Sequence, residues 1–578
     1  MSTEQVPTEQ KPAEQSHPEQ SMAVVLCWHM HQPEYRDLRT GTVHLPWTYL
    51  HAIKDYVDMA AHLEAVPNAR AVVNFAPILL EQIEDYCSQV SAYLQGHGAI
   101  RDPLLAELAE PALPGNAPAR LRLMQDCLRA NRERMINRFE PFQRLATMAE
   151  WYQNHPDSLI YASNQFLADL LVWYHLSWMA ESVQRTDTRL QRLRDKAHNF
   201  NLHERRELLG IILEQMQSLI PRYRALAERG QVELCMSPYA HPIMPLLLDM
   251  CSAREAMPGV PLPVNTQYPG GKERARWHLE QGLATFERIF GGKPAGLWPS
   301  EGGVSQAALE LFGEYGFSWI ASGGAVLHNS HDAKTKSCSH RVYRFGDVPV
   351  DCFFRDDGLS DLIGFSYSDW HAEDAVSNLV GHMENIADVC PDRDDCLITI
   401  ILDGENAWEY YPENGYHFLD QLYRTLAEHP RLHLTTFEQF LTDKSPEPAR
   451  EQKLVAGSWV YGTFSTWIGD PDKNRGWEIL TEAKQAFDTQ VASGKLTEEE
   501  LRAAQRQLGI CEGSDWFWWF GDYNPSVTVS QFDQLFRMHL SNLYQLIKVE
   551  APAHLSEVIS RGGGQPSKGG VMRHQTDS

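Results

Sequence analysis

The sequence is short of positive charge. Across 578 residues, 51 Lys and Arg face 76 Asp and Glu, a net charge of −25. Nucleic acids and anionic membranes both select a basic face, so neither is expected as a partner; a neutral polymer meets no such penalty. The ten cysteines are scattered and none forms a Cys-x-x-Cys pair, so neither a disulfide framework nor a paired-cysteine zinc ribbon is expected. Cysteine without such spacing fits a reducing, cytoplasmic setting. Long apolar runs are also missing: MAVVLCW at 22–28 is much too short for a bilayer, and no stretch reaches about 18 apolar residues. No tandem repeat is visible. Residues 1–21, rich in Glu-Gln with Thr, Pro and Lys, do not have the make-up of a secretory leader and read as a disordered tail. The polar, Gly-rich 556–578 reads the same way.

What remains is tryptophan-rich, with sixteen in all, and alternates β and α patterns. Most of the indoles belong in the core or between helices, but a flat ring also covers the apolar face of a sugar. AVVLCW at 23–28 predicts a buried first strand, and AVVNF with the following ILLEQIEDY a strand and then a helix. From about 117 to 230 the chain carries Arg, Leu, Glu and Gln at helical spacing, a helical insertion with solvated charged faces. Strands return at 231–236 and beyond, each followed by a helix. That alternation implies parallel strands with covering helices, an α/β fold. The barrel is expected over 22–445. After the charged, Pro-containing DKSPEPAREQ, an α-helical domain is expected over 446–555.

The chemistry gathers where strands break into loops. GLWPSEGGVSQ, 296–306, sets Glu301 beside Trp298 in a tight Gly-rich turn. LITIILDGENAWEYY, 397–411, is an apolar, β-branched run ending at Asp403, with Glu405 two residues on. In barrels and open α/β sheets the reacting groups sit just past the carboxyl ends of strands. Two such carboxyls suit glycosidic cleavage, which needs one acid and one ionised group. The like charge of Glu405 tends to keep one carboxyl protonated.

His29 and His31 lie two apart and so share a face of an extended segment, followed by Gln32 and Pro33. They read as metal ligands, as sugar hydrogen-bonders or as packing. A zinc site needs a third protein ligand, which the sequence does not single out. Glu233 and His241 stand out around the third strand, His241 as either a substrate contact or a loop imidazole bonded to nearby backbone. Arg355 and Asp361, on the approach to Asp403, are candidates for sugar hydroxyls.

WHMHQP (28–33), GQVELCMSPYAHPIMPLL (230–247), LWPSE (297–301), ILDGENAWEYYP (401–412) and GTFSTWIGDPDKNRGW (462–477) resemble the five ordered conserved regions of glycoside hydrolase family 57. DGEN with WEYYP is most similar to the amylopullulanase-like and α-amylase-like members. The resemblance implies a retaining α-glucan hydrolase acting on the α-1,4 bonds of starch, glycogen or maltodextrin, with α-1,6 bonds left open as a second target. It implies an incomplete, seven-stranded (β/α) barrel whose cleft an α-helical domain completes, with no metal or other cofactor. Glu301 matches the nucleophile and Asp403 the general acid/base. His29, His31, His241 and Trp298 match the sugar subsite, Trp467 falls in the region the helical domain contributes, and Trp459, in the aromatic stretch just before the last motif, is a further substrate-binding candidate. The same scaffold supports 4-α-glucanotransferases and branching enzymes. Alternatives of another class are a metal-dependent deacetylase or mannosidase, suggested by the histidine pair, and a non-catalytic glucan-binding protein. Oligomeric state is not legible.

Overall fold

The computed structural model describes residues 21–331, 338–390 and 394–564. Strands β1 (Met22–Met30), β2 (Ala71–Phe75), β3 (Val232–Met236), β4 (Gly296–Leu297), β5 (Trp319–Gly323), β6 (Tyr343–Phe345), β7 (Asp351–Arg355), β8 (Leu397–Asp403), β9 (Leu432–Leu434) and β10 (Ala449–Glu451) share one sheet. Seven of them form one continuous parallel series in the spatial order β8-β1-β2-β3-β4-β5-β7, and β9 adds a further parallel pairing to β1. Such strands are covered on both faces and so read as nearly unbroken apolar runs; β1 is buried at every position.

The ring stops short of closure. No ladder joins β7 to β8 among the described residues. That seam is bridged instead by Asp356 N–H to Thr399 O at 2.8 Å and by Arg355 Nε to Ile401 O at 2.8 Å. β4 is the shortest parallel strand because Pro299 follows it and cannot donate to a ladder. The Trp319 ring lies over Gly296, where a Cβ would come within 1.8 Å of it, so no larger residue fits.

Helices fill the connection from β2 to β3, from Pro77 through to Glu228, so the helical region begins well before the expected 117. Its last and longest helix, Leu202–Glu228, starts on a capping box of Asn201 and Glu204. Past residue 445 the chain first adds β10 beside β6 and then turns helical in Pro471–Ala492, Glu498–Cys511, Asp515–Trp519 and Ser526–Leu546. A buried clamp docks these helices on the barrel. Glu512 accepts from Arg274 (2.8 Å), His278 (2.9 Å) and Tyr268 (2.7 Å). Burial alone would raise the Glu512 carboxyl, but Arg274 and His278 outweigh it and hold it at about 2.

The tail expected over 1–21 lies, but for Ser21, outside the described residues, as does 565–578. The described part of the second tail differs from expectation. Ile559 and Ser560 donate their backbone N–H to the buried Asp533 carboxylate at 2.8 and 3.2 Å, which fastens the segment to the helix Ser526–Leu546. A polar, Gly-rich composition concealed this, because the fastening partner is a single buried acid on another element. No described helix is long and apolar enough to cross a membrane.

Candidate active site

Glu301 and Asp403 line the same cleft, a cavity of about 590 Å³ at the carboxyl ends of the strands. Glu301 follows β4 in the short turn Ser300–Gly302 and takes left-handed backbone angles, φ 57° and ψ 28°. A non-glycine residue held there costs on the order of 1–3 kcal/mol and persists only when its surroundings fix it. They do so here through Trp459, whose backbone N–H donates to Glu301 O (3.2 Å) and whose indole Nε1 donates to Glu301 Oε2 (3.1 Å). His241, also at positive φ (58°), sets Nδ1 3.9 Å from Glu301 Oε1.

Asp403 is the last residue of β8 and pairs in register with His29 of β1. Asn406 Nδ2 donates to its Oδ2 at 2.7 Å. The chain leaves the strand through Gly404, where a Cβ would lie 2.2 Å from Met30 Sδ.

His29, His31 and His241 form a packed group of rings. His31 and His241 stack at 3.9 Å between centroids, and His29 lies 5.0 Å from His241 and 5.8 Å from His31. The shared face expected for His29 and His31 is thus present. His29 Nδ1 bonds Asn74 Oδ1 at 2.6 Å, and His31 Nε2 meets both oxygens of Asp515 at 2.9 and 3.1 Å. His31, His241 and Asp515 can bring three donor atoms within 4.8 Å of one another. An ion bound by imidazole lies in the plane of each ring, however, and two rings stacked at 21° cannot both aim a lone pair at one point. The arrangement suits hydrogen bonding better than a metal.

The sequence matches the Glycosyl hydrolase family 57 description over residues 25–452. The chain belongs to this family. Solved structures of similar fold include a family 57 branching enzyme from Thermococcus kodakaraensis (15% identity, TM-score 0.55, covering 93% of this chain and 94% of that one). Another is the branching enzyme from Pyrococcus horikoshii (14%, 0.53, covering 94% and 98%). A third is an alpha-amylase from Thermotoga maritima (12%, 0.55, covering 92% and 93%).

In this family 57 enzyme the cleft wall also carries Gln32, Arg355 and Trp459. Arg355 is ion-paired to Asp357 and Asp361, each at 2.9 Å, and lies 5.6 Å from the Trp459 ring. Asp361 therefore stands behind Arg355 and does not line the cleft. His241, Trp298 and Trp467 are likewise buried behind the wall: Trp298 packs edge-on against Trp459 at 5.2 Å, and Trp467 lies 5.7 Å from Trp518. Glu233 is elsewhere. It sits near the amino end of β3, across from Val72, and accepts from the Trp319 indole (2.6 Å) and Glu438 N–H (2.9 Å), with burial pushing its carboxyl up to about 7. The structure gives it a packing role remote from the strand ends that carry the cleft.

Several lining residues were not singled out from sequence. Trp47, His51 and Trp178 come from one side, and Asp515, Trp518 and Trp519 from the helix Asp515–Trp519, with Tyr523 in the turn after it. The usable signal was an acid embedded in aromatics, SDWFWWFGDYN.

Burial pushes Glu301 well above the usual carboxylate range, helped by the charges of Asp403 and Asp515 and opposed by the Trp459 bond. Asp403 is raised by burial too, against Asn406, His31 and Arg355, which favour its ionised form. Glu405, buried two residues on, is pushed well up by burial and by Asp403. It accepts from Gln32 Nε2 at 3.2 Å. Burial and its neighbour His31 hold His29 at about 3, so it is neutral near neutral pH.

Proposed function

We propose that the protein is a retaining α-glucan hydrolase in which Glu301 is the nucleophile and Asp403 the general acid/base. The observation that carries this reading is the meeting of these two carboxyls, from strands a hundred residues apart in the chain, on one open cleft walled by aromatic rings. Asp403 protonates the glycosidic oxygen while Glu301 attacks the anomeric carbon. The departing chain leaves a covalent glucosyl-enzyme, and Asp403 then takes a proton from the incoming water, whose oxygen displaces Glu301. The roles require the proton on Asp403 when the bond breaks. Burial raises both carboxyls, and the Trp459 indole bond favours the ionised Glu301 that attack requires.

A second reading, transfer to another sugar hydroxyl as in a 4-α-glucanotransferase or branching enzyme, is favoured by one observation. Trp518 and Trp519 of the helix Asp515–Trp519 and Tyr523 of the following turn add an aromatic platform to the same cleft, suited to an acceptor chain. The fold is compatible with both outcomes, since solved structures of similar shape include branching enzymes and an alpha-amylase. Action on α-1,6 bonds and a reducing, cytoplasmic setting belong to the proposal as well. The cysteines, all free, support the latter.

Incubation with amylose, pullulan and glycogen tests the reading. Accumulating reducing ends mark hydrolysis; redistribution of chain lengths at constant reducing ends marks transfer. Glu301→Gln and Asp403→Asn should each lose nearly all turnover, and retained turnover in either overturns the assignment.

A further inference from the structure

His51 lines the cleft and takes no part in the chemistry proposed above, yet a buried polar network stands behind it. It ends the helix Trp47–His51, and the chain widens at once into a π-helical turn over Ala52–Tyr56. Such turns are rare and occur frequently at functional sites. Four positions apart, His51 and Asp55 meet on one helix face, with His51 Nδ1 donating to Asp55 Oδ2 at 2.7 Å. Lys54 Nζ donates to Asp55 Oδ1 (2.5 Å) and to Asn414 Oδ1 (2.7 Å). Asn414 Nδ2 donates to Asp58 Oδ2 (2.9 Å), and Asp58 also accepts the backbone N–H groups of Glu181 (2.8 Å) and Ser182 (2.9 Å). Lys54, Asp55 and Asp58 are each at most 2% exposed. Asn414 itself sits at a positive φ of 57°, a costly conformation that these bonds hold.

The network is satisfied at every side-chain nitrogen and oxygen but one. Of those atoms on His51, Lys54, Asp55, Asn414 and Asp58, His51 Nε2 alone has no partner among the described residues. Asp55 is sealed from the cavity and His51 lines it, so the ring turns its Nδ1 edge inward and its Nε2 edge toward the cleft. With Nδ1–H held by a carboxylate, Nε2 carries the lone pair of the neutral ring and accepts. Trp178 packs edge-on against the imidazole at 5.6 Å, and Trp47 lies 6.3 Å from it, so the ring is held in place. Trp47 is only partly buried and lines the same cleft, which sets a flat apolar surface beside that lone pair.

We infer that His51 is a glucan-binding residue of this cleft, its Nε2 accepting a hydrogen bond from a hydroxyl of a glucosyl unit whose apolar face rests on Trp47. One pyranose offers both features at once, an apolar face and hydroxyl donors at its rim. The inference rests on the proposed α-glucan reading and adds to it a contact outside the reacting pair. Lys54, Asp55 and Asn414 are positioning residues that act through the imidazole: they fix its tautomer and the direction of its free lone pair.

The test measures binding, without turnover. In full-length Glu301→Gln protein, titration calorimetry with maltoheptaose gives the reference Kd. Adding His51→Leu should weaken binding roughly two- to twelvefold, the worth of one hydrogen bond. Adding His51→Gln instead, which keeps a hydrogen-bonding atom near the Nε2 position, should recover part of that loss. Circular dichroism checks that each variant is folded. A second measurement needs no substitution at His51. Diethyl pyrocarbonate acylates unprotonated imidazole nitrogens, so it should modify His51 in the Glu301→Gln protein, and saturating maltoheptaose should slow that modification, read by peptide mass mapping. The inference is overturned if the folded His51→Leu variant binds as tightly as the reference, if His51→Gln is as weak as His51→Leu, or if the sugar leaves modification of His51 unslowed. A reference protein that binds no maltoheptaose would instead overturn the α-glucan reading on which the inference rests, so the two failures are distinguishable.

Discussion

Glu301 is held by two unlike devices, a strained backbone and one indole, and each makes a distinct prediction. Trp459→Phe keeps the ring packing but removes the N–H that meets Oε2 at 3.1 Å. A hydrogen bond to a charged group is worth about 1.5–3 kcal/mol, so kcat should fall roughly 10- to 100-fold. The sign of the pH effect follows from the same bond. It lowers the Glu301 pKa, so its loss moves the acid limb of the activity profile to higher pH; an unmoved limb would separate Trp459 from the nucleophile. Glu301→Gly relieves a left-handed residue, a conformation costing about 1–2 kcal/mol for residues with a Cβ, and removes a buried carboxyl near Asp403. The variant should be inactive yet have a Tm at or above that of the parent in calorimetry. A marked drop in Tm would show that the turn depends on the carboxylate. At this scale the sequence discloses residues whose chemistry is local: Glu301 and Asp403 stand at strand ends inside recognisable motifs. It conceals those defined by a distant partner. His31 is paired with Asp515, 484 residues on, and His241 lies under His31. Glu233 misled because a carboxyl in an apolar strand reads alike whether it faces a cleft or, as here, an indole.

Among the elements, the helices after Pro471 hold to the barrel through Glu512, which is fully buried with Arg274 and His278. Breaking such a pair leaves a buried charge alone and typically costs about 3–5 kcal/mol. Glu512→Gln should therefore lower the Tm substantially at neutral pH. The Glu512 carboxyl ionises at about 2 in the folded protein, below its ordinary 4.5. A depressed pKa contributes stability that is present above the unfolded value and is lost as pH falls from about 4.5 toward 2. The parent should lose stability across that window and Glu512→Gln should lose less; parallel curves would contradict the assignment. This clamp was not readable beforehand, since Arg274 and His278 share one ordinary helical pattern and Glu512 lies more than two hundred residues further on.

For the whole molecule, parallel pairing declared itself through unbroken apolar strands such as LITIIL, and the seven-stranded parallel order matches the expected incomplete barrel. The extent of the helical connection did not, because amphipathic helices from Pro77 onward resemble barrel-covering helices until their packing is seen. The charge balance also finds its place at this scale, with Glu301, Asp403, Glu405 and Asp515 facing one cavity. Such a cleft repels anionic chains and admits a neutral one, so sulfated or phosphorylated glucans should bind more weakly than plain maltodextrin, with the gap narrowing as salt rises. The account stands on a sugar becoming bonded to one of two carboxyls, and trapping that species tests it most directly. Incubating Asp403→Asn protein with an activated fluoroglucoside, followed by peptide mass mapping, should find one glucosyl adduct on Glu301. An adduct on another residue, or full turnover with no adduct and inverted product, would contradict it.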